Sequence, residues 1–569
     1  MTLVDWLLVL VVNLGIVLYG LITFKGIRKS FDWYLAAKSL PWWAVGLSAF
    51  STAVDSGDYV AIAGGSYRFG LSQLTQWWLG ITAGWFALSC FVIIPMYRSG
   101  VYTNAEWLEF RFGPLTRVLA VFINIQSRTN VVGNIFFSLY LVLNIIGELS
   151  ATWSWVVVIL VAATAVVYVV TGGLESDVIT NALQAVAMIV SSLVLWGVVW
   201  FSTGGMSGLT RKLAEVDESL PSELLHVGGY TPEGATPILM VFGLVVVLVT
   251  YAVINQYEAI RFLGARSEWD FKMGAVLASV ITAVCLWFNV SLGPLARAHF
   301  PDLAIIDSAY PMLVREYLPA GLIGLVLAGL VAAGYSTFAS IGMGISSLFV
   351  RDVYARFLVR HATDDHYTLV GKIAVPIIIA LGFVYVPFLE SGMVAFYLRL
   401  AGAIAVPLMT VILMGVFTRV HRATGSMGLV AGLLYGLSAL IGEYYEWPLP
   451  YWYTNLWWAY LWNLLLPAAV MVVASGIITL YRGPATDQEL EGLLYSRKES
   501  DRDLRSLMGS RLKVLEGTWL QKTLMQAPSK PRYPFPVPPS GRLPWRLRPE
   551  LWIGLYLVVA CWLLFVVFW

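Results

Sequence analysis

From Pro319 to Val350 the chain runs for 32 residues without a charged side chain, PAGLIGLVLAGLVAAGYSTFASIGMGISSLFV. Wound as an α-helix at about 1.5 Å per residue it spans about 48 Å, well beyond the ~30 Å hydrocarbon core of a bilayer. A run of this length predicts a membrane-crossing helix that tilts or projects into the cytoplasm. Composition extends that reading to the whole chain: 59% of residues are hydrophobic and 12% charged, where a soluble chain carries about 25% charged. The three cysteines, Cys90, Cys285 and Cys561, all fall inside apolar segments. They read as small core hydrophobes rather than as a disulfide framework or a metal site. The N-terminus shows neither a basic leader nor a small-residue cleavage site, so residues 3–23 read as a retained first helix.

Apolar segments recur at 3–23, 41–65, 72–97, 116–146, 151–171, 177–201, 236–256, 271–296, 319–350, 370–390, 392–417, 425–442, 456–481 and 550–569, which predicts about 14 transmembrane helices in an all-α membrane protein. With the N-terminus outside, the inside connections hold 29 Lys and Arg against five in the outside ones. That asymmetry satisfies the positive-inside rule and places both termini outside. Two connections are long. Residues 202–235 have an amphipathic middle that predicts a short surface helix over the entrance. Residues 483–548 are polar and then Pro-rich and basic, predicting a cytoplasmic loop whose first half could be helical and whose second half is extended on the membrane surface.

The most polar stretch within the membrane is the segment PWWAVGLSAFSTAVDSGDYVAIAGG, with Asp55, Ser56, Gly57 and Asp58 at its middle. Two carboxylates at mid-depth cost several kcal/mol unless they face a wet cavity or a cation. The bland alternative is that they only cap a second half-helix or pair with Arg128. In the long run of the first paragraph, Ala333, Ser336 and Thr337 are spaced i, i+3, i+4 and share one helix face. Two hydroxyls and a carbonyl there suit a small alkali cation, although such hydroxyls also bond back to their own helix. Ala332, Ser336, Ser340 and Gly344 recur every fourth residue and serve close helix packing equally well.

The stretch DSAYPMLVREYLPAGLIGLVLAGLVAAGYST with the following SSLFVRDVY resembles the eighth core helix of the sodium/solute symporter family, in its sodium/glucose cotransporter-like branch. AEWLEFRFG (105–113), NQYEAIRFLGAR (255–266), TGSMGLVAGLL (424–434) and GGLESDVITNALQ (172–184) resemble further family motifs in the family's order. The resemblance implies a LeuT-type fold, a 5+5 inverted repeat whose first helices are interrupted at the midplane. It divides the chain into an extra N-terminal helix and inside loop (1–40), a first five-helix repeat (41–201), the outside loop (202–235), a second repeat (236–417), two additional helices (418–482), the cytoplasmic loop (483–548) and a last helix (549–569). By the same resemblance Ser51 and Val54 lend carbonyls, and Ala333, Ser336 and Thr337 further oxygens, to one sodium ion. Asn181 and Ala339 replace residues that hold a second ion in relatives, which implies a single Na+ per cycle.

The implied activity is secondary active transport, with no enzyme chemistry: sodium-coupled symport of a small organic solute by alternating access in the cell (plasma) membrane. Asp58 matches a substrate-contact position and Tyr251 a stacking aromatic, and Asp55, Gln76, Arg128 and Asn255 are the remaining candidates to bind substrate. A sugar or polyol comes first; an amino acid, organic amine or carboxylate, proton coupling through Asp55 or Asp58, and a non-transporting sensor are alternatives. Neither a P-loop nor a nucleophile–base pair is present, which argues against ATP-driven pumping and membrane enzymology.

Overall fold

A computed structural model of the chain describes residues 1–23, 30–495, 517–524 and 544–569. Each of the fourteen predicted apolar segments falls on helix, and eleven helices among the described residues are long and apolar enough by themselves to cross a membrane. The first is α1 (Leu3–Thr23). The segment 41–65 is split into α2 (Trp42–Ala53) and α3 (Ser56–Phe69), because Val54 and Asp55 are extended, with ψ of 98° and −178°. After α4 (Thr75–Ser99) come the short α5 (Asn104–Phe112) and α6 (Pro114–Ile145).

The predicted segments 151–171 and 177–201 are joined as α7 (Ala151–Thr203), 53 residues bent at Gly173, where φ is 64°. A Cβ at Gly173 would stand 2.7 Å from Trp33 Cδ1, so glycine allows both the bend and the contact. The segment 236–256 is also interrupted. Helix α8 (Pro237–Ile254) stops at Asn255, whose ψ of 115° leaves the helical region, and α9 (Gln256–Leu263) resumes beyond the predicted end. The sequence count stopped there because α9 carries Glu258 and Arg261 and no longer looks apolar.

The rest of the helical array is α10 (Glu268–His299), α11 (Leu322–Leu358), α12 (Asp364–Val384), α13 (Met393–Phe417), α14 (Thr424–Tyr444), α15 (Leu456–Arg482) and α16 (Pro549–Val567). Asp5 of α1 accepts the N–H groups of Gly321 and Gly324 at 2.7 and 2.8 Å, satisfying free donors at the head of α11. At the other end of the chain Val227 N donates to Phe568 O at 2.6 Å, and the His226 ring lies 3.1 Å from Trp569 O. The two termini therefore lie beside the connections 300–321 and 202–235. The latter contains the helix Gly205–Val216, as its amphipathic pattern predicts, and Ser72, in the short turn that follows α3, donates to Val227 O at 2.5 Å.

On the opposite face the motif AEWLEFRFG meets the end of α11 through buried charges. Arg117 pairs with Glu109 and Asp352, each at 2.5 Å, Arg351 with Glu106 at 2.9 Å and Arg356 with Glu109 at 2.7 Å. Each cation has a carboxylate, which is what allows so many charges to be dry. The segment Trp519–Leu524 of the long loop is a helix docked on this network, where Arg351 Nη1 donates to Thr523 Oγ1 at 3.1 Å. Most of the residues expected to be polyproline lie outside the described residues.

Candidate functional site

Both helix breaks sit side by side in the middle of the array, and the site is built from the groups they release. At the first, Asp55 is the N-cap of α3: its carboxylate accepts from Asp58 N at 3.0 Å while Asp58 Oδ2 accepts from Asp55 N at 3.0 Å. This reciprocal capping box satisfies free donors of the half-helix and leaves the remaining Asp58 oxygen for other work. The bland reading of the two carboxylates is therefore true as far as it goes. Arg128, its other half, forms no ion pair with either Asp among the described residues.

The second break is stitched to the first. Tyr251 and Tyr257 place their hydroxyls 3.0 and 3.3 Å from Thr52 O and 2.6 Å from each other, and Thr52 Oγ1 lies 3.1 Å from Glu258 Oε1. These bonds tie the end of α2 to the start of α9.

Next to Thr52, the carbonyl of Ser51 accepts from Ser336 Oγ at 2.6 Å, and Ser336 Oγ also lies 2.8 Å from Ala333 O. The structure thus brings Ser51, Ala333 and Ser336 together. Val54 is the C-cap of α2, and Thr337 lies on the same turn as Ser336 with a buried hydroxyl that has no partner. A buried hydroxyl without a partner costs about 1–3 kcal/mol, a cost that a cation held between these oxygens removes. The residues present fit a small hard cation as cargo. Among the described residues no His, Cys, Asp and Glu group is arranged for a transition metal.

Beside the first break, Asp55, Asp58, Gln76, Asn134, Tyr251 and Tyr397 line a cavity with about 50 Å³ of free space. That is room for a water or two, so loading a solute requires the surrounding helix ends to part. No Lys or Arg lines it. Asp58 is half-buried and Asp55 is 3% exposed. Arg128 stands behind this wall: its guanidinium lies 5.0 Å from the Tyr251 ring centre and Nη2 donates to Ser127 Oγ at 2.7 Å, while Nε and Nη1 have no partner. Asn255 is fully buried at the second break with both amide atoms unpartnered. Of the six sequence candidates for substrate, four line the cavity and Arg128 and Asn255 do not.

Sequence reasoning passes over Tyr397, takes Trp77 for an interface anchor because it lies near a segment end, and passes over Arg261. The first two line the cavity from apolar helices in which aromatic residues are common, so no local signal marks them. Arg261 lay in view inside NQYEAIRFLGAR, and its partner Asp177 stands four residues before Asn181, one turn away on the same face.

Residues 33–436 match the profile of the Sodium:solute symporter family. Among curated proteins the chain is 28% identical over 457 residues to sodium/glucose cotransporter 4 of Danio rerio, covering 72% of this chain and 67% of that one. It is 29% identical to sodium/myo-inositol cotransporter 2 of Sus scrofa over 455 residues (72% and 66%), and so spans about two thirds of such relatives. Among solved structures it superimposes on a Na+-coupled sialic acid symporter in a substrate-bound outward-open state with a TM-score of 0.71 at 17% identity, over 84% of this chain and 98% of that one. Mhp1, a nucleobase-cation-symport-1 family transporter, follows with a TM-score of 0.52 at 11% identity over 79% and 95%. At such identities these two show a shared fold, the LeuT-type arrangement.

Proposed function

The chain belongs to the sodium:solute symporter family, and from that premise we propose that it carries a neutral polyhydroxylated solute across the membrane together with sodium. It is a multi-pass membrane transporter and not an enzyme. The observation that supports a sugar or polyol is the cavity wall. It offers the half-buried Asp58 carboxylate, the Gln76 and Asn134 amides and the aromatic side chains of Trp77 and Tyr251, with no Lys or Arg among the lining residues. A carboxylate accepts bidentate hydrogen bonds from neighbouring hydroxyls, and a sugar's C–H face lies well on an aromatic ring. The names of the glucose and myo-inositol cotransporters it resembles agree with that chemistry.

In this reading one sodium ion sits among Ser51 O, Val54 O, Ala333 O, Ser336 Oγ and Thr337 Oγ1 and holds the inner half of the first broken helix against α11. Sodium binding and solute binding favour the same state, so the gradient of one drives the other. The Lys and Arg asymmetry supports a plasma-membrane orientation with both termini outside and the cavity opening outward. Purified protein in liposomes tests the whole reading. Labelled hexose or inositol should accumulate under an inward sodium gradient at fixed pH and fail to accumulate under a proton gradient alone. Uptake that follows protons and ignores sodium refutes it.

A further inference from the structure

Where α4 stops and α10 and α16 begin, the three helices leave a cavity of about 370 Å³ between them, a volume that takes a small organic ligand. Its chemistry is layered along α4. Toward the middle of that helix the wall is apolar, made by Phe86, Phe91 and Ile94 and met by Leu551 of α16. The Phe91 ring stands 5.4, 5.5 and 5.1 Å from the rings of Phe86, Phe417 and Tyr495, so the deep part is an aromatic cleft. At the helix end the wall is charged. Arg98 donates to Glu268 at 2.8 Å and Lys272 to Glu550 at 2.7 Å, and Arg548 stands beside them on the rim. From Phe86 to Arg98 is twelve residues, or about 18 Å of helix, a length that takes a lipid headgroup and part of an acyl chain.

The rim lies among tryptophans. Trp269 Nε1 donates to Leu547 O and Trp552 Nε1 to Arg546 O, each at 2.9 Å, and the Trp545 ring stands 6.2 Å from that of Trp552. Tryptophan gathers at the level of lipid headgroups. Leu551, Leu555 and Val558 share one face of α16 and are all exposed, so the cavity continues onto a surface that hydrocarbon covers in a bilayer. The charges choose the ligand. Three cations, Arg98, Lys272 and Arg548, face two carboxylates, Glu268 and Glu550, an excess of one positive charge. A phosphodiester brings one negative charge and oxygens that Arg and Lys bind by charge-assisted hydrogen bonds, whereas a zwitterionic headgroup brings no net charge.

We propose that this cavity binds an anionic glycerophospholipid, with its phosphate among Arg98, Lys272 and Arg548 and one acyl chain in the cleft of Phe86 and Phe91. The lipid fastens the last helix to α4 and α10. None of the groups that line the solute cavity or offer oxygens to sodium takes part. Arg548, Glu550 and Leu551 lie beyond residues 33–436, so the site depends on chain outside the stretch that the family profile matches.

The test uses purified, delipidated full-length protein in a neutral detergent, titrated with phosphatidylglycerol or phosphatidylcholine of the same acyl chains and read as a melting temperature. Phosphatidylglycerol should raise it saturably and above phosphatidylcholine, and inorganic phosphate at the same concentration should not. Arg548→Gln should raise the half-saturating phosphatidylglycerol concentration about tenfold, the effect of one lost charge-assisted contact. Glu550→Gln breaks the bond to Lys272 but adds to the positive excess, so it should lower that concentration, a change that a purely structural ion pair does not produce. Equal stabilisation by the two lipids overturns the proposal, as does a half-saturating concentration that neither substitution moves. Inorganic phosphate that stabilises as well as the lipid assigns the rim to a free anion and overturns it too. Should Glu550→Gln fail to fold, Arg548→Gln, at an exposed position, decides alone.

Discussion

The Ser336 hydroxyl and the Ser51 carbonyl lie 2.6 Å apart although 285 residues separate them in the chain. One belongs to the long uncharged helix α11 and the other to α2, the first half of the broken one, so the proposed sodium ion would hold the two helices together here. Replacing Ser336 and Thr337 by Ala removes two oxygens worth about 1 kcal/mol each. The sodium concentration for half-maximal stabilisation or transport should rise about tenfold or more. A folded double mutant with unchanged sodium dependence would place the ion elsewhere.

Asp58 has one oxygen engaged with Asp55 N and stands in the cavity wall. Asp58→Asn preserves an acceptor for that cap, presents an N–H donor to the solute in place of the second oxygen, and removes the charge. For a neutral polyol, affinity should fall by no more than about tenfold, roughly one hydrogen bond, whereas an ammonium ligand would lose far more. A thermal-shift panel of sugars, inositols and amines, run with and without sodium, separates the two, since the true solute stabilises more when sodium is present.

Arg117 is the centre of the charge network at the end of α11, fully buried against Glu109 and Asp352. Arg117→Ala leaves both carboxylates short of a partner in a dry site, a loss of about 3–5 kcal/mol. The melting temperature in detergent should drop sharply, and Arg117→Lys should recover only part of it because one ammonium cannot face both carboxylates as the planar fork does. A melting temperature unchanged in Arg117→Ala would mean the network is not dry.

Asp307 lies in the connection between α10 and α11, outside the membrane-spanning segments, with Oδ2 accepting from Met393 N at 2.9 Å and Oδ1 unpartnered. Burial pushes its carboxyl up to about 7, the Met393 hydrogen bond pulling the other way. The folded chain therefore binds a proton more readily than the unfolded chain does. Its contribution to stability is full below the ordinary carboxyl range near 4 and is lost as pH rises to about 7. Asp307→Asn should flatten that part of the stability–pH curve, and wild-type and mutant curves of identical slope between pH 4 and 7 would contradict it.

The sequence by itself determined the membrane class and the positions of the helices, because hydrophobic runs act within a single helix, whereas the break in the segment 41–65 came with the resemblance. The resemblance of short motifs added the pairing of Ser51 with Ser336, which no local pattern carries. What only the tertiary structure decided are relationships between faces of different helices. Arg128 stands behind Tyr251 instead of in the cavity, Tyr397 lines it, and Arg261 reaches Asp177 across 84 residues. Helix rotation and depth in the bilayer are set by packing against neighbours. A turn of one helix decides which side chain meets the cavity, and that turn is a property of the assembled bundle.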